Sequence, residues 1–244
     1  MKLLKYVMTN DTGLAPNPFF GICSLALCTP NHMNAKLEPN DWVVAHSSSA
    51  TGQRLVYAMR LTEVLDMPTY FERYPEKRPD PHGTYEQQCG DNLYYRDGER
   101  WARLPSAEHN TVEDFLADRN RSVYIANGVE NFWYFGAGSD LTELAGFADR
   151  FPWLVKDRQG FSYVHDSTRI GYFTEWLNGL DSRGLIGQPR DRAHTQADSY
   201  LVGIDPTHRW IELDNRKSTN DSSNNAKSCR PTRIVRTGRG CSSV

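Results

Sequence analysis

The sequence has no long apolar run. Nothing in its 244 residues approaches the ~20 consecutive apolar side chains of a membrane span. Lys2 and Lys5 sit near the start, but no apolar stretch of signal-peptide length follows them. Cysteine is sparse and odd in number: Cys23, Cys28, Cys89, Cys229 and Cys241. A secreted disulfide scaffold favours an even, denser set. These absences predict a cytoplasmic protein with no membrane partner. Also lacking are an internal repeat, a nucleophile elbow and a Gly-rich loop with P-loop or dinucleotide spacing. Gly136-Ala137-Gly138 is too short to cradle a phosphate, and no cofactor is expected.

Metal ligands are equally thin. Cys23, Cys28 and His32 offer half of a zinc site without the tight Cys-x2-Cys pair such sites use. In a strand, residues 23 and 28 point to opposite faces, so buried packing cysteines are the preferred reading and no metal is expected.

What is present fits one globular body of good size. The hydrophobic fraction is 39% and the aromatic fraction 11%. The net charge of −2 hides an asymmetry. Residues 216–244 hold seven of the 28 basic residues and one of the 30 acidic ones. The tail is therefore basic and the body acidic. Few aliphatic residues occur in 216–244, so the segment cannot offset its ordering entropy and is read as disordered. Residues 1–215 are read as a single domain.

Hydrophobic patterning supplies the elements. Leu3–Met8 and residues 20–27 read as strands. Residues 41–46 form another, with Trp42 and Val44 on one face and Val43 and Ala45 on the other. Residues 54–65 make the best strand in the chain. A short Ser/Gly loop joins these two, which predicts an antiparallel hairpin. Helices are expected over 68–74, from an Asn110/Glu113 capping box to about Arg119 (burying Val112, Phe115 and Leu116), over 140–151, and over 167–178 with Gly179 as the stop. Strand-like runs cover 122–126 and 131–135, and residues 200–204 and 210–213 suit a closing hairpin. Residues 75–90 are polar and Pro-rich, a long loop of the kind that is often functional.

Candidate chemistry stays open on the residues alone. Asp91, Asn92, Tyr94 and His109 bracket residues 90–110, and a simple apolar core needs none of them. A carboxylate and an imidazole there suit acid–base work, with Asp91 and His109 as the catalytic candidates. The bland alternative makes Asp91-Asn92 a turn and His109 a residue that precedes a helix. Cys23 or Ser47 beside His46 has no supporting signature as a nucleophile. Trp42, Tyr57, Tyr94, Tyr95, Trp133 and Tyr134 lie near strand ends or loops, where rings can stack a base or fill a core.

The run APNPFFGICSLALCTP, then NDWVV, RLVYAMRLTEVLDMPTYF, GDNLYYRDGERW and FWYFG, resembles the nucleotide modification associated domain 2 family. That family occurs in prokaryotic and phage genomes beside DNA base-modification systems. The resemblance singles out Asn17, Pro18, Phe19 and Gly21; Asp41, Trp42, Tyr57 and Glu63; Asp91, Asn92 and Tyr94; and Tyr134, Phe135 and Gly136. It assigns a catalytic role to none of them. The central strands also resemble PUA-like barrels, some of which hold a single base in an aromatic-lined pocket. Asn40 stands where those barrels carry Gly. The implied fold is α+β, a small PUA-like mixed β-barrel with short peripheral helices and the disordered tail.

The function this implies is recognition of a base or nucleotide, modified bases included, in a DNA-modification or defence context. Trp42, Tyr57 and Tyr94 are the stacking candidates. Asn17, Asp91 and Asn92 would read base edges, with Phe19 and Tyr134 also in the ligand-binding set. The basic tail would add salt-sensitive phosphate affinity. Two other readings remain: an enzyme acting on a modified base through Asp91 and His109, and a protein-partner subunit of a modification complex.

Overall fold

Alternation along the strands decides the layers. In the computed structural model, residues 1–27, 34–106, 109, 111–139, 141, 144 and 146–191 are described. The strands are β1 (Leu3–Met8), β2 (Ile22–Leu25), β3 (Trp42–Ser47), β4 (Leu55–Arg60), β5 (Glu63–Leu65), β6 (Tyr94–Asp97), β7 (Arg100–Arg103), β8 (Val123–Asn127), β9 (Phe132–Tyr134), β10 (Phe161–Val164) and β11 (Gly184–Leu185). The helices are α1 (Met67–Arg73), α2 (Tyr85–Gln88), α3 (Val112–Asp118), α4 (Phe147–Arg150) and α5 (Ser167–Asn178).

Six strands form one mixed sheet in the order β10-β1-β3-β4-β9-β11, with β3 parallel to β1 and antiparallel to β4. The expected hairpin is present. Its β4 arm stops at Arg60, where Leu61 and Thr62 carry the chain out of this sheet. Thr62 N–H then donates to the Ile125 carbonyl, and β5 joins a second sheet, β2-β8-β5. Strands β6 and β7 make a separate hairpin.

Three apolar layers result. Between the two sheets lie Tyr6, Val43, Ala45, Tyr57 and Met59 from the large sheet, against Cys23, Leu25 and Tyr124 from the small one. On the far side of the large sheet, Trp42, Val44, Ala58 and Trp133 meet Phe151 and the α5 stripe Ile170, Phe173 and Leu177. On the outer side of the small sheet, Ile22, Val123 and Ile125 meet Met67 and Tyr70 of α1 and Phe115 of α3.

The fold is not the barrel that the resemblance implies. The six-stranded sheet is open, ending at β10 and β11, and among the described residues no sheet closes on itself. Closure would need continuous strand pairing around a ring. Instead the large sheet buries bulky apolar residues on both faces, Trp42 and Trp133 among them, so helices cover what a barrel would leave outside. The short peripheral helices and the α+β character stand as read. Asn40 adopts φ +73, the left-handed conformation that Gly would take and that Asn tolerates.

Other differences are local. The box that opens α3 is Thr111 with Asp114, one residue later than read, and Phe115 is buried while Val112 and Leu116 are exposed. Helix α5 matches its expected span, capped by the Asp166 carboxylate on the N–H groups of Thr168 and Arg169. Within 140–151 only α4 is described as helix. The closing hairpin, the basic tail, Cys28, His32, Cys229 and Cys241 lie outside the described residues.

Candidate functional site

Residues 17–22 form a loop whose carbonyls converge on one cation. The backbones of Asn17 and Ser24 exchange two hydrogen bonds, 2.8 and 2.9 Å, which closes the loop at its base. Lys77 Nζ then donates to Asn17 Oδ1 (2.7 Å) and to the carbonyls of Asn17 (2.9 Å), Phe19 (3.0 Å) and Ile22 (2.7 Å). An ammonium has three N–H groups for these four acceptors, so at least one is shared. Lys77 is 0% exposed. It ends the 3-10 turn Pro75–Lys77 that follows α1, and Asn92 N–H donates to its carbonyl at 3.0 Å.

A carboxylate sits in the same cluster. Asp91 accepts from Ser24 Oγ and Tyr70 OH, both at 2.7 Å. Asn92 Nδ2 donates to the carbonyls of Tyr70 and Tyr74, and Asn17 Nδ2 to that of Cys89. Burial lowers the Lys77 pKa to about 8, against the pull of Asp91. Burial likewise raises the Asp91 pKa, against Lys77, Tyr70 and Ser24. Both shifts have one cause: charge is expensive inside, and the partners offset only part of the cost.

The expected site residues divide into separate groups. Asn17, Asp91 and Asn92 share this network. Phe19 is buried edge-on to Tyr85, with ring centroids 6.1 Å apart. Tyr94 packs edge-on to Phe115 on the outer side of the small sheet. Trp42 stacks on Trp133 beneath α5, on the opposite face of the large sheet from Tyr57. Tyr57 OH bonds Tyr6 OH at 2.8 Å, and Tyr134 donates to Asp11. His109 Nδ1 pairs with Asp118 at 2.8 Å, whereas Asp91 is held by Ser24 and Tyr70. Cys23 is fully buried, with its thiol pushed up to about 12 by burial, so it stays protonated at neutral pH. His46 binds the Ser47 carbonyl through Nδ1 and accepts from Lys156 N–H through Nε2, which occupies both ring nitrogens. Among the described residues no cluster of His, Cys, Asp or Glu could hold a metal.

Sequence reasoning missed Lys77, Tyr70 and Phe20. The apolar run 20–27 places Phe20 in a buried strand, yet β2 begins at Ile22 and Phe20 is 44% exposed. Its φ is +61, a left-handed backbone that a bulky residue rarely adopts. The signal was the adjoining Gly21, at φ +72. Two more exposed apolar residues lie close by. Gly21 and Gly184 both adjoin Val129, itself 52% exposed, and Leu185 follows Gly184 at 38%. A Phe20→Gly exchange removes the left-handed strain of about 1–3 kcal/mol. Against this stands the greater unfolded-state freedom of Gly, about 0.5–1 kcal/mol. The expected result is a gain of about 1 kcal/mol, read as a higher urea midpoint. A clear loss would mean that the Phe20 ring is part of the core.

One family's sequence model, nucleotide modification associated domain 2, matches residues 1–198. The chain belongs to this family. No curated protein matches it, and neither does any solved structure. The matched span of this nucleotide modification associated domain contains the whole Lys77 network and the loop above it. The family's description associates the domain with nucleotide modification. Among the described residues no helix is long and apolar enough to cross a membrane.

Proposed function

We propose that this domain recognises a base or nucleotide, modified bases included, by stacking it on Phe20. One observation carries the reading. A strained, solvent-facing aromatic ring is presented by a loop whose carbonyls are locked to a buried lysine. Strain of this kind persists only where the surroundings over-determine it, and it gathers at functional positions. The Lys77, Asp91 and Asn17 network supplies that over-determination at a cost in buried charge. Asn17, Asp91 and Asn92 then act as the frame of the site, and Phe20 as its contact.

A flat exposed ring suits a base because every base has a π-face. Stacking contributes about 1–3 kcal/mol per base. A base that is already unpaired, damaged or modified is the least costly to present. The partner in this reading is DNA or a nucleotide in a modification or defence setting.

The test is a titration of normal and modified nucleotides and oligonucleotides against the wild type and Phe20→Ala. Affinity should fall about 5- to 150-fold in the variant, the equivalent of the stacking free energy, while the melting temperature holds. Failure of every ligand to bind, or equal affinities for both proteins, would sink the proposal.

A further inference from the structure

A second surface feature lies at the other end of the small sheet. A cleft of about 160 Å³ opens between residues 34–36 and residues 120–124. Its lining includes Asn34, Lys36, Asn120, Arg121, Ser122 and Tyr124. Two of these are cations and none is a carboxylate. The setting makes that notable, because residues 1–215 hold 21 basic and 29 acidic residues. The nearby Asp118 is buried and already engaged with His109.

The cationic wall is fixed in place. Arg121 Nε donates to the Ala117 carbonyl at the end of α3, and Nη1 donates to Asn34 Oδ1, both at 3.2 Å. Those two bonds set the plane of the guanidinium and leave the Nη2 donors for other use. Tyr124 is buried, and its hydroxyl donates to the Ala35 carbonyl at 2.6 Å. Lys36 N–H donates to Tyr163 OH at 2.7 Å, which fixes the opposite wall. A preorganised fork loses little freedom when it meets an oxyanion, and guanidinium geometry matches phosphate oxygens in pairs.

Size narrows the ligand. Pockets that take a whole drug-sized molecule start at about 300 Å³. This cleft is about half of that, room for a phosphate group and not for a complete nucleotide. We infer that it binds the phosphate of a phosphate ester, with Arg121 and Lys36 as the charged contacts and Ser122 and the two asparagines as neutral donors. The inference is independent of Phe20. Strand β8 runs from the cleft to Asn127, which pairs with Ile22 beside the Phe20 loop. From Tyr124 in the cleft to Asn127 is three residues, so at ~3.3 Å per residue the two features stand ~10 Å apart along that strand.

Calorimetric titration of the full chain at constant ionic strength tests this, with orthophosphate in one arm and a dinucleotide phosphodiester in the other. Saturable one-to-one binding is expected in at least one arm. Arg121→Gln should weaken it at least tenfold. Lys36→Glu, at an exposed position, should abolish it and serves as the second variant if Arg121→Gln does not fold. Binding of orthophosphate identifies a free phosphate or monoester as the ligand, and binding of the diester alone identifies a nucleic-acid backbone. The inference is overturned if neither arm saturates, or if both variants bind as the wild type does.

Discussion

Lys77→Met is expected to destabilise the domain by about 3–5 kcal/mol, the range for breaking one side of a buried ionic network. Met has a similar length and no donor. Asn17 Oδ1 and the carbonyls of Asn17, Phe19 and Ile22 would lose the Nζ that binds all four. Asp91 would lose the cation that opposes its burial. For a body of this size, each kcal/mol lowers the melting temperature by about 2–4 °C. A drop on the order of 10 °C should therefore be seen. Lys77→Met combined with Asp91→Asn should lose less than the sum of the two single variants, because both charges leave together. The pH dependence has a definite sign. The folded-state pKa of Lys77 is about 8, below the ordinary 10.5. Between those values the unfolded chain binds more protons than the native one, so stability from this group rises with pH. The gap in urea midpoint between the wild type and Lys77→Met should thus widen from pH 8 towards pH 10. A constant gap would mean that Lys77 titrates normally.

Gly187→Ala should cost about 3 kcal/mol or more. Residues 184–187 lie against β9, with Ile186 and Gly187 N–H both donating to the Tyr134 carbonyl. A Cβ at Gly187 would stand 1.9 Å from the Phe135 carbonyl oxygen and 2.7 Å from its carbon. Both atoms are backbone and cannot swing aside. The edge segment would have to lift away from β9 and lose those two bonds, which is overpacking at its most severe. Thermal unfolding of the variant measures the loss. An unchanged midpoint would show that this edge does not contribute to the cooperative unit.

Much of the fold was legible because its signals are local. Helix α5 carries its own start at Asp166, its stripe of Ile170, Phe173 and Leu177, and its stop at Gly179. Strands β3 and β4 announce themselves by alternation, down to the faces taken by Trp42 and Val43. Closure into a barrel is a different kind of property. It depends on which strand meets which at the edges, and the chain leaves the large sheet at Leu61 and Thr62, where the alternation gives no warning. The α3 box slipped by one residue because Asn110 and Thr111 are both cap formers, each followed three residues later by an acid.

The site was half legible for a similar reason. Asp91 and Asn92 are polar residues that a simple apolar core does not need, Asn17 is marked only by the family resemblance, and the structure brings the three into one network. Lys77 did not stand out. In the run Pro75-Glu76-Lys77-Arg78 it looks like a solvated charge, and nothing in that order shows which cation turns inward. Its role appears only when the carbonyls of residues 17–22 are brought above it from 60 positions away in sequence.

Base stacking on Phe20 is read directly by the fluorescence of 2-aminopurine in a short single-stranded oligonucleotide titrated with the protein. Stacking of that base on Phe20 should quench it. The expected result is saturable quenching by the wild type, its loss in Phe20→Ala and its return in Phe20→Tyr, with all three proteins equally stable. Equal quenching by Phe20→Ala would rule out stacking on Phe20, because the base would then be meeting some other part of the surface.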